Sequence, residues 1–173
     1  HGVVLAKSIP AKKYNIKTFV GFNQRYRTGY QKLRDIYQRG ELGHGIHLWS
    51  QRMGMNMPAN NWRTNPATLS GFTIESISHD IDMFKWISGG AKIKSVYANV
   101  KNSRTDLAGY DDNTLAILHL DNGTSASIQA SWSSFIEHNS RGINGLEGTA
   151  MISGRGTWNF DMFRYRTRGM DTE

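Results

Sequence analysis

Ala126, Ile128, Ala130 and Trp132 alternate without a break with Ser127, Gln129, Ser131 and Ser133, directly after Asp121-Asn122-Gly123-Thr124. Side chains that alternate every second residue keep one composition per face only in a β-strand. Asn-Gly before such a strand is a strong hairpin signal, because it supplies the positive φ values of a type I′ turn. The strand it turns back from is the apolar run Asn113 to Leu120. Lys94 to Lys101 alternates through Val96, Ala98 and Val100, and a further hairpin through Gly145-Leu146-Glu147-Gly148 leads to Ile152 and Gly154. The second half of the chain is therefore committed to sheet. Its face of small polar groups can accept a ligand or another sheet, or stay wet; the tail after Trp158 is aromatic and basic without a clear period.

The first half reads differently. Lys12-Lys13-Tyr14-Asn15 has the form of a helix end with Asn15 as its cap. Lys17 to Tyr26, with Phe19, Val20 and Phe22 around Gly21, reads as a buried strand. Thr28 then caps a helix in which Tyr30, Leu33, Ile36 and Tyr37 recur at helical spacing, and which stops at Gly40. Gly45 to Met53 is a strand leading into a loop rich in Met, Asn and Pro, from Gly54 to Ser70. Loops of that length without structure of their own are often functional. These elements predict an α+β fold, a largely antiparallel open sheet with helices gathered on one face.

The segment Gly71 to Gly90 carries the chemistry. At 100° per residue Ile74, Ile77, Ile81, Phe84 and Ile87 collect on one side of a helix, the apolar stripe of an element docked on a core. Glu75, His79, Asp82 and Trp86 form a second stripe on the opposite side. An acid one turn before a histidine can orient an imidazole that titrates near neutral pH, the arrangement of a general acid/base. The plain alternative is an exposed Glu–His pair worth a few tenths of a kcal/mol. The tryptophan in this stripe, with Met83 beside it, argues for a face covered by something else.

Charge and composition exclude several classes. The net charge of +7 comes from Lys and Arg spread thinly along the chain, densest at Arg155, Arg164, Arg166 and Arg168, with no concentrated basic element of the kind that tracks nucleic acid. No apolar run approaches the 18 or so residues of a spanning helix, and no signal-peptide pattern opens the chain, so the reading is cytoplasmic with no membrane partner. No metal site is expected: the chain has no cysteine, and His44 and His47, three apart on a strand, point to opposite faces. No Gly-x-Gly-x-x-Gly fingerprint and no Gly-x-Ser-x-Gly elbow occur.

Several phrases in order resemble the C-terminal half of the glucose–fructose oxidoreductase, inositol dehydrogenase and MocA family of NAD(P)-dependent dehydrogenases. They are Val20-Gly21-Phe22-Asn23-Gln24-Arg25-Tyr26, Gly40-Glu41-Leu42-Gly43, Trp62-Arg63, and Ser70-Gly71 with Glu75-x-x-x-His79-Asp80-Ile81-Asp82 and Trp86-Ile87-Ser88-Gly89. Asp111-Asp112-Asn113 and Asp121-Asn122-Gly123 ahead of the serine-rich strand belong to the same resemblance, which covers about Lys12 to Gly154.

The resemblance implies a substrate domain whose helix faces the nicotinamide of NAD or NADP. His79 would take the proton from a sugar or cyclitol hydroxyl, and Glu75, where the family usually has Asp, would bind a neighbouring hydroxyl or orient the imidazole. Asn23, Arg25, Tyr26, Trp62 and Arg63 would lie near the same pocket. Lys7, within Val4-Leu5-Ala6-Lys7-Ser8-Ile9, would be the family's lysine beside the hydroxyl and cofactor, with Ala6 and Ser8 in place of its Glu and Pro. Residues 1–14 would then be the end of a dinucleotide-binding domain that holds most of the cofactor, and residues 15–173 a substrate domain short of the family's C-terminal segment. The sheet would pair copies into a homo-oligomer. The competing expectation is a non-catalytic module that uses the same sheet for oligomerisation or carbohydrate binding.

Overall fold

The computed structural model describes residues 12–19, 21–55, 71–103, 109–155 and 159–171. Lys7, Trp62 and Arg63, and most of the loop that begins at Gly54, lie outside the described residues. Among the described residues two α-helices, α1 (Thr28–Gln38) and α2 (Ser78–Ile87), lie on one open sheet of seven strands. The strands are β1 (Gly45–Met53), β2 (Ile93–Lys101), β3 (Asn113–Leu120), β4 (Ser125–Ser131), β5 (His138–Gly145), β6 (Gly148–Gly154) and β7 (Met162–Thr167). Their order across the sheet is β2-β3-β4-β1-β5-β6-β7.

Every neighbouring pair is antiparallel except β1 and β4, which run parallel with His47 opposite Ser125 and Met53 opposite Ser131. Strand β1 thus sits in the middle of the sheet, between two antiparallel groups that follow it in the chain. Alternation decides which face is dry. Leu48, Ala126, Ile128, Ile143, Ala150 and Ile152 point under the helices and join Tyr30, Leu33, Phe84 and Ile87 in one core. Gly29 brings the α1 backbone close to β6, where an added Cβ would stand 3.1 Å from Ile152.

The opposite face is open. It carries Tyr97, Leu115 and Ile117 exposed, with His47 and Trp49 half-buried in the middle. Trp49 lies across Gly142, where a Cβ would meet its ring at 2.4 Å, and its Nε1 donates to Ser140 Oγ at 3.0 Å.

Several sequence expectations change. The 121–124 hairpin is not type I′: Gly123 takes φ +85° but Asn122 does not enter the left-handed region. Gly123 N donates to Leu120 O, which makes a type I turn closed by a glycine bulge, and Lys92 N binds Asp121 Oδ1 from outside. Lys17 to Tyr26 is no strand among its described residues; Phe19 is 85% exposed, and Asn23–Tyr26 is a 3₁₀ turn. A strand without a hydrogen-bonding neighbour has nothing to hold it extended. Asn15, at φ +52°, does cap the preceding helical turn. Strand β7, absent from the sequence reading, alternates half-buried Phe163 and Tyr165 with exposed Arg164 and Arg166.

Candidate active site

Helix α2 is entered through a π-helical turn, Thr73–Ile77. A π turn closes i→i+5 bonds, so it advances the buried face by five residues where an α-turn advances it by three or four. Phe72 and Ile77 are therefore both core residues, and Ile74, which a uniform helix would bury, is 60% exposed. Beyond the turn Asp80, Met83, Phe84 and Ile87 point inward.

The turn is pinned from the loop before β3. Asp111 O accepts from Phe72 N at 3.0 Å, and its Oδ2 accepts from Thr73 N at 2.7 Å and from the Thr73 hydroxyl. Thr73 Oγ1 also meets Thr114 Oγ1 at 2.6 Å. Gly71 is obligatory here: its φ is +111°, and a Cβ would stand 1.9 Å from Asp111 Oδ1. The neighbouring Tyr110 is buried and stacked on Trp132, and its hydroxyl donates to Glu75 Oε2 at 3.2 Å.

The stripe of Glu75, His79, Asp82 and Trp86 lies away from the sheet, as the helical count predicts, yet all four are half-buried. Part of the cover comes from this chain's own 22–26 segment. Phe22 presents its ring edge-on to His79, with centroids 6.0 Å apart at 88°. Arg25 holds Asp82 through Nε at 2.7 Å and through Nη2, with side-chain exposures of 40% and 11%. The same guanidinium lies 5.9 Å from the Trp86 ring, which Arg34 covers at 4.9 Å.

The imidazole of His79 has its Nδ1 buried. Burial pushes its pKa below the ordinary histidine value, the Arg52 charge pushes it further down, and Asp80 and Asp82 oppose the shift. His79 therefore stands neutral at neutral pH, the state in which a histidine accepts a proton.

Of the residues expected around the site, Glu75 and His79 share the outer side of the π turn and α2, and Arg25 reaches the same side through Asp82. Asn23 and Tyr26 are exposed on the same 3₁₀ turn that carries Arg25. His47 lies on the open sheet face and pairs with Ser127 Oγ at 2.9 Å; among the described residues no group of three or more metal-ligating side chains forms.

Sequence reasoning missed Tyr110 and the buried charges beneath α2: Asp80, Arg52 and Arg141, together with Ser50. Their signal was phase. Asp80 falls on the buried stripe of its helix, Arg52 alternates with Leu48, and Arg141 with Ile143, so all three are charges at core positions.

A sequence model of the GFO/IDH/MocA C-terminal domain matches residues 30–151. An inositol 2-dehydrogenase of Corynebacterium glutamicum is 24% identical over 110 residues, covering 64% of this chain and 31% of its own. An uncharacterized oxidoreductase of Bacillus subtilis, YrbE, is 28% identical over 144 residues, covering 80% of this chain and 41% of its own. Among solved structures, the WlbA dehydrogenase of Bordetella pertussis, in complex with NADH and UDP-GlcNAcA, superposes with a TM-score of 0.74 at 20% identity. It covers 90% of this chain and 48% of its own, a likeness of fold. The chain spans about a third of the length of the inositol dehydrogenases it matches. Among the described residues no helix is long and apolar enough to cross a membrane.

Proposed function

The chain belongs to the GFO/IDH/MocA family, whose C-terminal domain it carries, and from that premise we propose that it is the substrate domain of an NAD(P)-dependent dehydrogenase oxidising a secondary hydroxyl of a sugar or cyclitol. The observation that carries the reading is the Glu75–His79 pair. It stands where the π turn passes into α2, on the side away from the sheet, with His79 neutral and edged by Phe22.

The described residues include no glycine-rich turn between a strand and a helix of the kind that cradles a pyrophosphate, so they fit the substrate side of the site. NAD(P)⁺, held mainly by a dinucleotide-binding domain, supplies the hydride acceptor. The chain's own residues supply the proton half of the oxidation. In this reading His79 takes the hydroxyl proton at Nε2, since Nδ1 is turned into the protein. Glu75, whose Oε2 accepts from the Tyr110 hydroxyl, binds a neighbouring hydroxyl or orients the imidazole.

Asn23 and Tyr26 face the substrate from the 3₁₀ turn, and Arg25 acts through its grip on Asp82. Lys7, Trp62 and Arg63 keep the roles that the family resemblance gives them. A second copy pairs through the open sheet face, a reading supported by exposed Tyr97, Leu115 and Ile117 there.

The test is turnover of the full-length protein against a panel of sugars and inositols with both nicotinamide cofactors. His79→Ala is expected to lower kcat by about 10²–10⁴-fold, the usual worth of a positioned acid/base. Turnover unchanged within about threefold would remove His79 from that role.

A further inference from the structure

Asp80 follows His79 in the chain and points the other way. It has no exposed surface, and neither has Arg141; Arg52 is 1% exposed. Ser50 Oγ and Arg141 Nε both donate to Asp80 Oδ1 at 2.8 Å, while Arg52 Nη1 lies 3.5 Å from Oδ2 and donates to Ser76 O at 3.1 Å. The Arg141 guanidinium also lies over the Phe160 and Tyr30 rings at 5.3 and 5.9 Å. Three elements meet at one carboxylate: α2, β1 and β5.

Among the described residues the cluster holds two cations against one anion. A buried, incompletely balanced charge costs several kcal/mol relative to apolar packing of the same volume, so stability alone does not account for it. What the arrangement provides is orientation. An apolar stripe lets a helix roll or slide on a sheet at modest cost, whereas hydrogen bonds from two adjacent strands to one carboxylate fix both its rotation and its register. The residue next to that carboxylate is His79.

Charge reaches the imidazole from the same elements. Arg52 of β1 and Arg141 of β5 oppose its protonation, and Asp80 and Asp82 of its own helix favour it. Glu75 stands one turn before it, and Arg25 reaches Asp82 from the 3₁₀ turn.

We propose that Asp80 is a positioning residue for His79: it ties α2 to β1 and β5 through Ser50, Arg52 and Arg141, and it is the anion that offsets two buried guanidiniums beneath the imidazole. The inference rests on His79 as the acid/base. Asp80 touches no substrate in this arrangement and acts through the helix and the field.

The experiment compares Asp80→Asn and Arg52→Met in the full-length protein. The readouts are the NMR titration of the His79 ring, assigned by its loss in His79→Gln, and the pH profile of kcat/KM. Asp80→Asn removes an anion and is expected to move the His79 midpoint to lower pH. Arg52→Met removes a cation and leaves the Asp80–Arg141 pair balanced, so the midpoint moves to higher pH. A residue that merely supports the fold would not give shifts of opposite sign.

With the helix less firmly held, kcat of Asp80→Asn is expected to fall by about 10- to 100-fold, the scale of a small misplacement of a catalytic group. Midpoints that move the same way, or not at all, in folded variants overturn the proposal. Where Asp80→Asn does not fold, Arg52→Met decides alone, and an unmoved midpoint overturns it. Opposed midpoints with an unmoved kcat/KM limb leave Asp80 in place and remove His79 as the acid/base.

Discussion

Helix α2 carries an aspartate ion pair on each side, and the two have little in common. Beneath the helix Asp80 is sealed with Arg141 and Arg52, both effectively without solvent contact. Above it Asp82 meets Arg25, whose side chain is 40% exposed. A single residue, Ile81, separates these carboxylates in sequence, yet Coulomb's law acts on them in different media. A charge pair near water gains little because water screens it and solvates either partner when the other leaves. A buried carboxylate that leaves strands its partners in a medium that cannot solvate them. The inner pair therefore bears on whether α2 stays folded onto the sheet, and the outer pair on where the 3₁₀ turn rests above His79.

The sharpest way to break this contrast is Asp80→Ala, which leaves two guanidiniums buried without their anion. Denaturant unfolding of the full-length protein is expected to show a loss of about 3–5 kcal/mol. The pH dependence separates the inner pair further. Burial pushes the Asp80 carboxyl up, but Arg141, Arg52 and the hydrogen bonds from Arg141 and Ser50 outweigh it and hold the group below the usual carboxylate range. A carboxyl lowered on folding contributes stability above its unfolded pKa of about 3.9, and that contribution is lost as pH falls through the lower folded value. His79 acts in a separate window. Its folded pKa is also lowered, so the unfolded chain takes the proton first and stability begins to fall below about pH 6.5. Asp80→Ala should shrink the acid limb to the part that Asp112 and Glu41, also lowered, contribute, and keep the one near pH 6.5; a variant that unfolds with the wild-type acid profile would contradict the inner pair's role.

Which residues fall inside and which outside depends on the π turn, so the next test is at its entry. Gly71→Ala meets both a left-handed φ and the Asp111 carboxylate, whereas Gly89→Ala at the other end of α2 meets a left-handed φ of +74° with nothing within 4 Å. The backbone term is about 1–2 kcal/mol in each. Gly71→Ala should exceed Gly89→Ala by at least about 1 kcal/mol in unfolding free energy, the cost of displacing a bonded group. It should also raise KM, because Glu75 rides on the turn. Equal losses would mean that the Asp111 clamp does not hold the turn.

Much of this arrangement is legible in the chain. Alternation from Lys94 to Trp132 fixes strand faces because a one-residue slip would turn Leu118 and Ile128 into solvent. Gly40 marks the end of α1, and the 100° count places Glu75 and His79 on the side of α2 away from the sheet. What is hidden has a common cause: it depends on partners distant in sequence. Local periodicity assumes one pitch, so the π turn, held by Asp111 and Thr114, displaces Ile74 from the stripe that a 100° count assigns it. The apolar letters around Gly21 look like a strand only if a neighbouring strand exists to pair with them. The parallel contact of β1 with β4 is set by β4 returning to the middle of the sheet, and no local signal near Gly45 carries it. Arg52 and Arg141 stand in phase with buried residues of their strands, but that they close on one aspartate depends on β1 and β5 pairing across the sheet.

The outer pair supplies the smallest expected effect on stability and the finest discrimination. Arg25 closes on Asp82 with two donors and rests against Phe22 and Trp86, at 5.8 and 5.9 Å from their ring centroids. Asp82→Ala frees a guanidinium that water can reach, so unfolding free energy should change by about 1 kcal/mol or less. The consequence lies above the helix: without its anchor the turn from Asn23 to Tyr26 no longer holds Phe22 edge-on to His79. Steady-state kinetics should then show KM rising several-fold at nearly constant kcat if Asn23 and Tyr26 contact substrate, because uniform binding is lost while His79 stays in place. A fall in stability as large as that of Asp80→Ala would show that α2 rests equally on both pairs. A fall in kcat with KM unchanged would place Asp82 among the groups that orient His79 itself.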